Sequence, residues 1–321
     1  MKALITGITG QDGAYLARLL ISKGYEVHGI TPMRSNIDTS NLAYLEVTNA
    51  RVFAGDLTDA GCINAIIARG KYDEVYNLGA QSFVAESFNQ AAHTFEVNAK
   101  GVINLLDAIF RHSPYTRVYQ ASTSEMFGGE AEGALNEKSL FNPRSPYAVA
   151  KMAAHDMCRI YREAQGMHIS CGILFNHESP IRGKQFVTRK ITDGVARIQA
   201  GLADKLVLGN VAAYRDWGYA EDYVDAMWRM LQQDIPDDYV IATGTTYTVQ
   251  HLCEVAFRAA GLNYVDYLET DKSNTRPLEV NILCGDASKA KEKLDWSATT
   301  SFDDLIKLMV TADLLRYGVE L

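Results

Sequence analysis

The stretch Ala3-Leu4-Ile5-Thr6-Gly7-Ile8-Thr9-Gly10-Gln11-Asp12-Gly13 joins a short apolar run to a glycine turn, and the pattern of an amphipathic helix follows at once. A short apolar run ended by turn residues reads as a buried strand, so the order is strand, glycine turn, helix. The glycines let the backbone approach a ligand closely, and the free N–H groups and dipole at a helix start favour the negative charge of a pyrophosphate. Such a turn can also be purely structural. Its place at the first βα turn is what favours a dinucleotide.

Outward from this turn the rhythm continues. Val27–Ile30, Arg51–Ala54, Glu74–Leu78, Arg117–Ala121 and Ser170–Phe175 read as strands, and Tyr15–Lys23, Asn98–Phe110 and Tyr147–Ala164 as helices, the last with Pro146 as its start signal. Alternation of this kind predicts an α/β protein with a Rossmann-like, doubly wound parallel sheet. After Asn176 the texture changes to charged loops, a helix over Lys190–Ala200, a loop through Gly209–Gly218, and a further strand and helices. The expected organisation is a dinucleotide domain over 1–175, with a returning segment around 211–243, and a smaller substrate lobe over 176–321.

With 321 residues, 47% of them hydrophobic and 22% charged, the chain can bury a large core. The net charge of −8 is spread out with no basic tail, which argues against nucleic acid as a partner. Cys62, Cys158, Cys171, Cys253 and Cys284 form no CxxC pair, so no metal site or disulfide framework is expected and a reducing cytoplasm is the expected location. The apolar run at the start stops at Thr6, and no run approaches the ~20 residues of a membrane span.

NAD-preferring folds carry an acid about twenty residues past the glycine turn, for the ribose 2′-hydroxyl. Here the second strand ends in Thr31-Pro32-Met33-Arg34-Ser35, with no acid before Asp38. Arg34 and Ser35 suit a 2′-phosphate, so NADP is the expected cofactor. Asp56, with Leu57 after the third strand, is placed to accept from an adenine amino group. Tyr147 and Lys151 lie one turn apart on one helix face. A phenol of ordinary pKa about 10 is a poor base, and a neighbouring ammonium would favour its ionised form. Strand Val118–Ala121 runs into Ser122-Thr123-Ser124-Glu125, where a parallel sheet opens its crevice. Thr123 is the candidate to bind a hydroxyl undergoing oxidation, and Glu125 to exchange protons with substrate.

The segments TGITGQDG (6–13), NLGAQS (77–82), QASTSEMFG (120–128), RSPYAVAK (144–151), GILFNHESP (172–180), VTRKI (187–191), RDWGYAEDYV (215–224) and MWRMLQQD (227–234) resemble the GDP-mannose 4,6-dehydratases. The resemblance spans nearly the whole chain, and the later segments belong to the substrate lobe. It implies a hydro-lyase of the extended short-chain dehydrogenase/reductase type, with catalytic residues Thr123, Ser124, Glu125, Tyr147 and Lys151. Cofactor contacts are implied at Gly7, Thr9, Gly10, Gln11, Asp12, Gly13, Arg34, Ser35, Asp56, Leu57, Leu78, Gly79, Ala80, Gln81, Ser82, Tyr147, Lys151, His177 and Arg182. For the GDP-sugar it implies Ser82, Glu125, Asn176, Val187, Lys190, Asn210, Arg215, Arg276 and Glu279, and for assembly a homo-oligomer, dimer or tetramer.

The sequence departs from the family pattern at Pro32-Met33-Arg34-Ser35-Asn36, which has one arginine where the family has a pair, at His93, where an aromatic is usual, and at Phe83, where histidine is frequent. These changes leave open another GDP-sugar, such as a GDP-heptose or GDP-N-acetylglucosamine. An epimerase or 4-ketoreductase on the same scaffold has no use for an elimination acid at Glu125. A non-catalytic NADP sensor has no use for the whole set.

Overall fold

In the computed structural model, Ala3 and Ile5 of strand β1 (Lys2–Thr6) pack on one side of a sheet with Leu16, Leu20, Met227 and Met230, while Leu4 packs on the other with Ile63, Leu105 and Ile109. Alternate residues of a strand face opposite ways, so a strand that is apolar throughout calls for a helical layer on each side. The structure describes residues 1–32, 36–128, 133–271, 278, 280 and 282–319.

The strands are β1, β2 (Glu26–Thr31), β3 (Arg51–Ala54), β4 (Glu74–Asn77), β5 (Arg117–Thr123), β6 (Ile169–Leu174), β7 (Asn176–Glu178), β8 (Leu206–Leu208), β9 (Tyr214–Tyr219), β10 (Asp238–Ile241), β11 (Thr246–Thr248), β12 (Leu268–Thr270) and β13 (Ile282–Leu283). The helices are α1 (Gln11–Ser22), α2 (Ser40–Tyr44), α3 (Ala60–Gly70), α4 (Ala91–Phe95), α5 (Gly101–His112), α6 (Pro146–Gln165), α7 (Val187–Gln199), α8 (Ala220–Leu231), α9 (Val249–Ala259), α10 (Ser288–Leu294) and α11 (Phe302–Arg316).

The main sheet is parallel, in the order β3-β2-β1-β4-β5-β6-β10. This is the doubly wound, Rossmann-like class expected from the sequence. The order reverses between β1 and β4, and a crevice opens at the carboxyl ends of the strands there. Helices α1 and α8 cover one face and α3, α5 and α6 the other. A second core gathers α7, α9 and α11 around Trp217 and Phe257. Beside it, β7, β9, β11 and β13 form a mixed sheet. Within the described residues, no helix is long and apolar enough to cross a membrane.

Three local expectations need correction. Helix α1 starts at Gln11 rather than Tyr15, and takes Gly13, a poor helix former, into its first turn. The helix expected over Asn98–Phe110 begins as a π-helical turn, Glu96–Lys100, and continues as α5. The expected loop Gly209–Gly218 contains β9, whose Arg215 and Asp216 are buried. Buried charge hid that strand: Asp216 accepts hydrogen bonds from the backbone N–H groups of Thr243 and Gly244 and from the Thr243 hydroxyl.

Candidate active site

Two cavities meet in the crevice. The larger, about 820 Å³, runs over the turns after β1, β2, β3 and β4. The glycine turn (Gly7, Thr9, Gly10, Gln11, Asp12, Gly13), Asp56 and Leu57, the run Leu78, Gly79, Ala80, Gln81 and Ser82, and Arg182 all line it, as does His93. The turn is tightly built. Gly7 has φ +70°, and a Cβ at Gly13 would lie 2.3 Å from the Gly7 carbonyl oxygen. Helix α1 begins without a side-chain cap, so the N–H groups of its first turn lack that side-chain partner. Gln81 Oε1 is buried without a hydrogen-bond partner and belongs to the same wall. A long cleft, an uncapped helix start and an orphan acceptor together fit a dinucleotide. The Asp56 carboxylate is engaged by the Thr58 N–H and hydroxyl, both at 2.8 Å. Arg34 and Ser35 lie outside the described residues.

The smaller cavity, about 150 Å³, is lined by Thr123, Ser124, Glu125, Tyr147, Lys151, Asn176 and His177, and shares Asp12, Ser82 and Arg182 with the larger. Two elements present the reactive groups. Strand β5 ends in Thr123, whose hydroxyl accepts from the Glu125 N–H at 3.3 Å and starts a short 3-10 turn, Ser124–Phe127. Helix α6 is capped by Ser145, whose hydroxyl accepts from the Ala148 N–H at 3.1 Å, with Pro146 in its first turn. Tyr147 and Lys151 are buried on one face of it.

Burial pushes the Tyr147 phenol up to about 12, and the Glu125 charge adds to this. The Thr123 hydroxyl and the Arg182 guanidinium pull it back down. Lys151 was expected to supply that pull. Its Nζ instead donates to the Ala121 carbonyl at 2.7 Å and stands 6.0 Å from the Tyr147 ring centroid. Burial brings the Lys151 ammonium itself down to about 8.

A pair the sequence did not announce joins the two cavities. His177 Nε2 lies 2.8 Å from Asp12 Oδ2, and its Nδ1 lies 2.7 Å from the Phe175 carbonyl. An acceptor beside each ring nitrogen favours the doubly protonated imidazole. Burial alone would lower the His177 pKa, but the Asp12 charge and hydrogen bond, with the Phe175 carbonyl, together outweigh it and the pKa rises. Asp12 is correspondingly low, at about 2, against the opposing effect of burial. The two residues are 165 apart in the chain, and no local signal links them. Phe186 was also missed. Its ring carries the Arg182 guanidinium at 3.7 Å and meets Phe83 edge-on at 5.9 Å, forming one wall of the smaller cavity.

The substrate residues divide. Ser82, Glu125 and Asn176 line the smaller cavity. Val187 and Lys190 are exposed on α7, Asn210 is exposed with its side chain accepting from the Ala212 N–H, and Arg215 is buried in β9. None of these four lines either cavity. Arg276 and Glu279 lie outside the described residues.

A Tyr-x-x-x-Lys helix facing a strand-end threonine, beside a dinucleotide-type glycine turn on a doubly wound sheet, defines the extended short-chain dehydrogenase/reductase class. Among solved structures of this fold, a UDP-glucose 4-epimerase from Thermotoga maritima superposes with TM-score 0.88 at 24% identity, over 100% of both chains. A dTDP-glucose 4,6-dehydratase from Streptomyces venezuelae superposes with TM-score 0.87 at 23% identity, over 99% of this chain and 98% of the other. Within that class the chain belongs to the GDP-mannose 4,6 dehydratase family, whose model matches residues 4–309. It is 50% identical to GDP-mannose 4,6 dehydratase 1 of Arabidopsis thaliana, over 97% of this chain and 89% of that protein. It is 46% identical to the Vibrio cholerae GDP-mannose 4,6-dehydratase, over 98% and 94%. The human enzyme of that name is 45% identical, over 97% and 91%. Membership makes the chain an enzyme, a hydro-lyase.

Proposed function

We propose that the chain removes water from GDP-mannose to give the GDP-4-keto-6-deoxy sugar, with NADP as a tightly held, regenerated cofactor. The observation that carries this reading is the convergence of Thr123, Glu125 and Tyr147 on one small cavity that opens into the dinucleotide cleft. The residues lining the larger cavity, with Arg34 and Ser35 for the 2′-phosphate, would hold the cofactor. When bound, it supplies a hydride acceptor that becomes the donor later in the same turnover.

Thr123 Oγ1 steadies the sugar O4, and Tyr147 Oη receives the proton of that hydroxyl. Burial holds that phenol at about 12, and a positive charge brought close lowers it. Once C4 is a ketone the C5 proton is acidified, and the Glu125 carboxylate takes it and returns a proton to the departing 6-hydroxyl. Lys151, set by the Ala121 carbonyl, orients the nicotinamide end of the cofactor. Asn176 and Ser82 hold the hexose, and Val187, Lys190, Asn210, Arg215, Arg276 and Glu279 the nucleoside diphosphate. This requires the last group to be reached beyond the two described cavities. The five free cysteines suit a cytoplasmic enzyme, and we place it there as a homo-oligomer.

Incubation of the purified protein with GDP-mannose, and separately with other GDP- and dTDP-sugars, without added cofactor tests this by mass spectrometry. Loss of one water from GDP-mannose, with NADP+ released on denaturation, is the expected result. Water loss from another sugar alone would move the substrate, as the Phe83–Phe186 wall could require. No loss from any sugar, even with NADP+ supplied, would overturn the reading.

A further inference from the structure

Asp313, on α11, is completely buried and accepts from two arginines. Arg189 of α7 donates to it through Nε, at 3.1 and 2.9 Å to the two carboxylate oxygens, and through Nη2 at 2.5 Å. Arg316 Nη1 donates at 2.6 Å and the Thr192 hydroxyl at 2.7 Å. One carboxylate therefore serves two guanidinium groups.

Each arginine has a second bond, and both second bonds go to the same loop. Arg189 Nη1 donates to the Arg182 carbonyl at 2.7 Å, and Arg316 Nη2 to the Pro180 carbonyl at 2.8 Å. That loop, 179–186, carries Arg182, which lines both cavities, and Phe186, which lines the smaller. Its first residue is also tied to the glycine turn, since the Ser179 hydroxyl donates to Gln11 Oε1 at 2.7 Å. A planar guanidinium fixed by a carboxylate on one edge presents its remaining N–H in a set direction.

We infer that Asp313 is a positioning residue. Through Arg189 and Arg316 it holds the loop backbone that presents Arg182 to the cofactor and sugar. This inference rests on the proposed dinucleotide site. A residue that merely anchored α11 would affect stability alone, because its partners would then have no bond to the loop.

The test compares Asp313→Asn, nearly isosteric but uncharged, with Val310→Ala, which opens the same helix interface three residues away without touching either arginine. Both are studied as the full chain loaded with NADP+. Asp313→Asn is expected to speed amide exchange across 179–186 and NADP+ dissociation by about tenfold each, with kcat falling and KM for GDP-mannose rising. Val310→Ala should lower Tm comparably and leave all four unchanged. If Asp313→Asn matches Val310→Ala in loop exchange and NADP+ release, the inference is overturned. Should Asp313→Asn fail to fold, Arg316→Gln removes the Pro180 bond together with the Arg316–Asp313 bond and leaves the Arg189 arm in place. A roughly threefold rise in exchange at 179–182 supports the clamp, and unchanged exchange overturns it. A wild-type protein without turnover on GDP-mannose would overturn the proposed substrate, and the exchange comparison would still decide the clamp.

Discussion

The larger cavity is walled by turns from four strand ends, the smaller by side chains carried on β5, α6 and the segment after β6. Backbone that hugs a ligand demands the absence of side chains, and glycine spacing announces it in one short stretch. Chemistry demands particular side chains in register, and these come from positions 123, 125, 147, 151 and 177, which only the completed sheet brings together. On the proposed reading, holding a cofactor and acting on a substrate draw on largely different residues, with Asp12, Ser82 and Arg182 in common, and variants of the unshared residues test whether each can be disturbed alone.

The sharpest separation is Glu125→Gln. Product formation is expected to fall by on the order of 10²- to 10⁴-fold, the usual worth of a positioned acid–base group, while NADP+ retention after gel filtration stays as in the wild type. Full activity would remove Glu125 from the elimination step. Joint loss of activity and cofactor would show that the cavities are not independent. In the larger cavity, Gly13→Ala puts a Cβ 2.3 Å from the Gly7 carbonyl oxygen and 2.6 Å from Ile8 Cα. Backbone must shift, so a loss of roughly 1–3 kcal/mol in thermal stability is expected, together with weaker NADP+ binding.

The smallest effect tests the link between the cavities. Asp12→Asn should lower the His177 pKa, since burial and the Arg182 charge are then opposed chiefly by the Phe175 carbonyl, and ring-proton NMR across a pH series reads this directly. The sign follows from linkage. His177 has a raised pKa in the folded state, so its contribution to stability is full below pH 6.5 and fades as pH rises through the folded pKa. The Asp12 contribution is present above pH 3.8 and is lost as pH falls towards about 2. The stability gap between wild type and variant, ~1 kcal/mol for a partly exposed charged hydrogen bond, should therefore be larger at pH 6 than at pH 9.

Much of the fold was legible because local chemistry agreed with tertiary need. Strand Arg51–Ala54 lies where it was expected, and α6 differs from Tyr147–Ala164 by one residue at each end, with Ser145 and Pro146 marking its start. What escaped reading had a tertiary cause. β9 carries buried Arg215 and Asp216, and the partners of Asp216 lie in other segments, while the pair Asp12–His177 and the Arg189–Asp313 bond of the clamp join residues more than a hundred apart. The resemblance supplied roles for Lys190, Asn210 and Arg215 that these cavities do not absorb, because motif position carries a residue across without its surroundings.

Strand β10 pairs with β6 at the edge of the main sheet, yet it follows α7, β8, β9 and α8 in the chain. During synthesis from the amino terminus, six strands of that sheet therefore emerge long before the seventh. Until residue 238 arrives, β6 presents a row of unpaired N–H and C=O groups, and its apolar residues are an open template for another chain. Synthesis interrupted between the two strands would leave a sticky intermediate, so the ribosome's pace through residues 175–241 bears on the yield of folded protein.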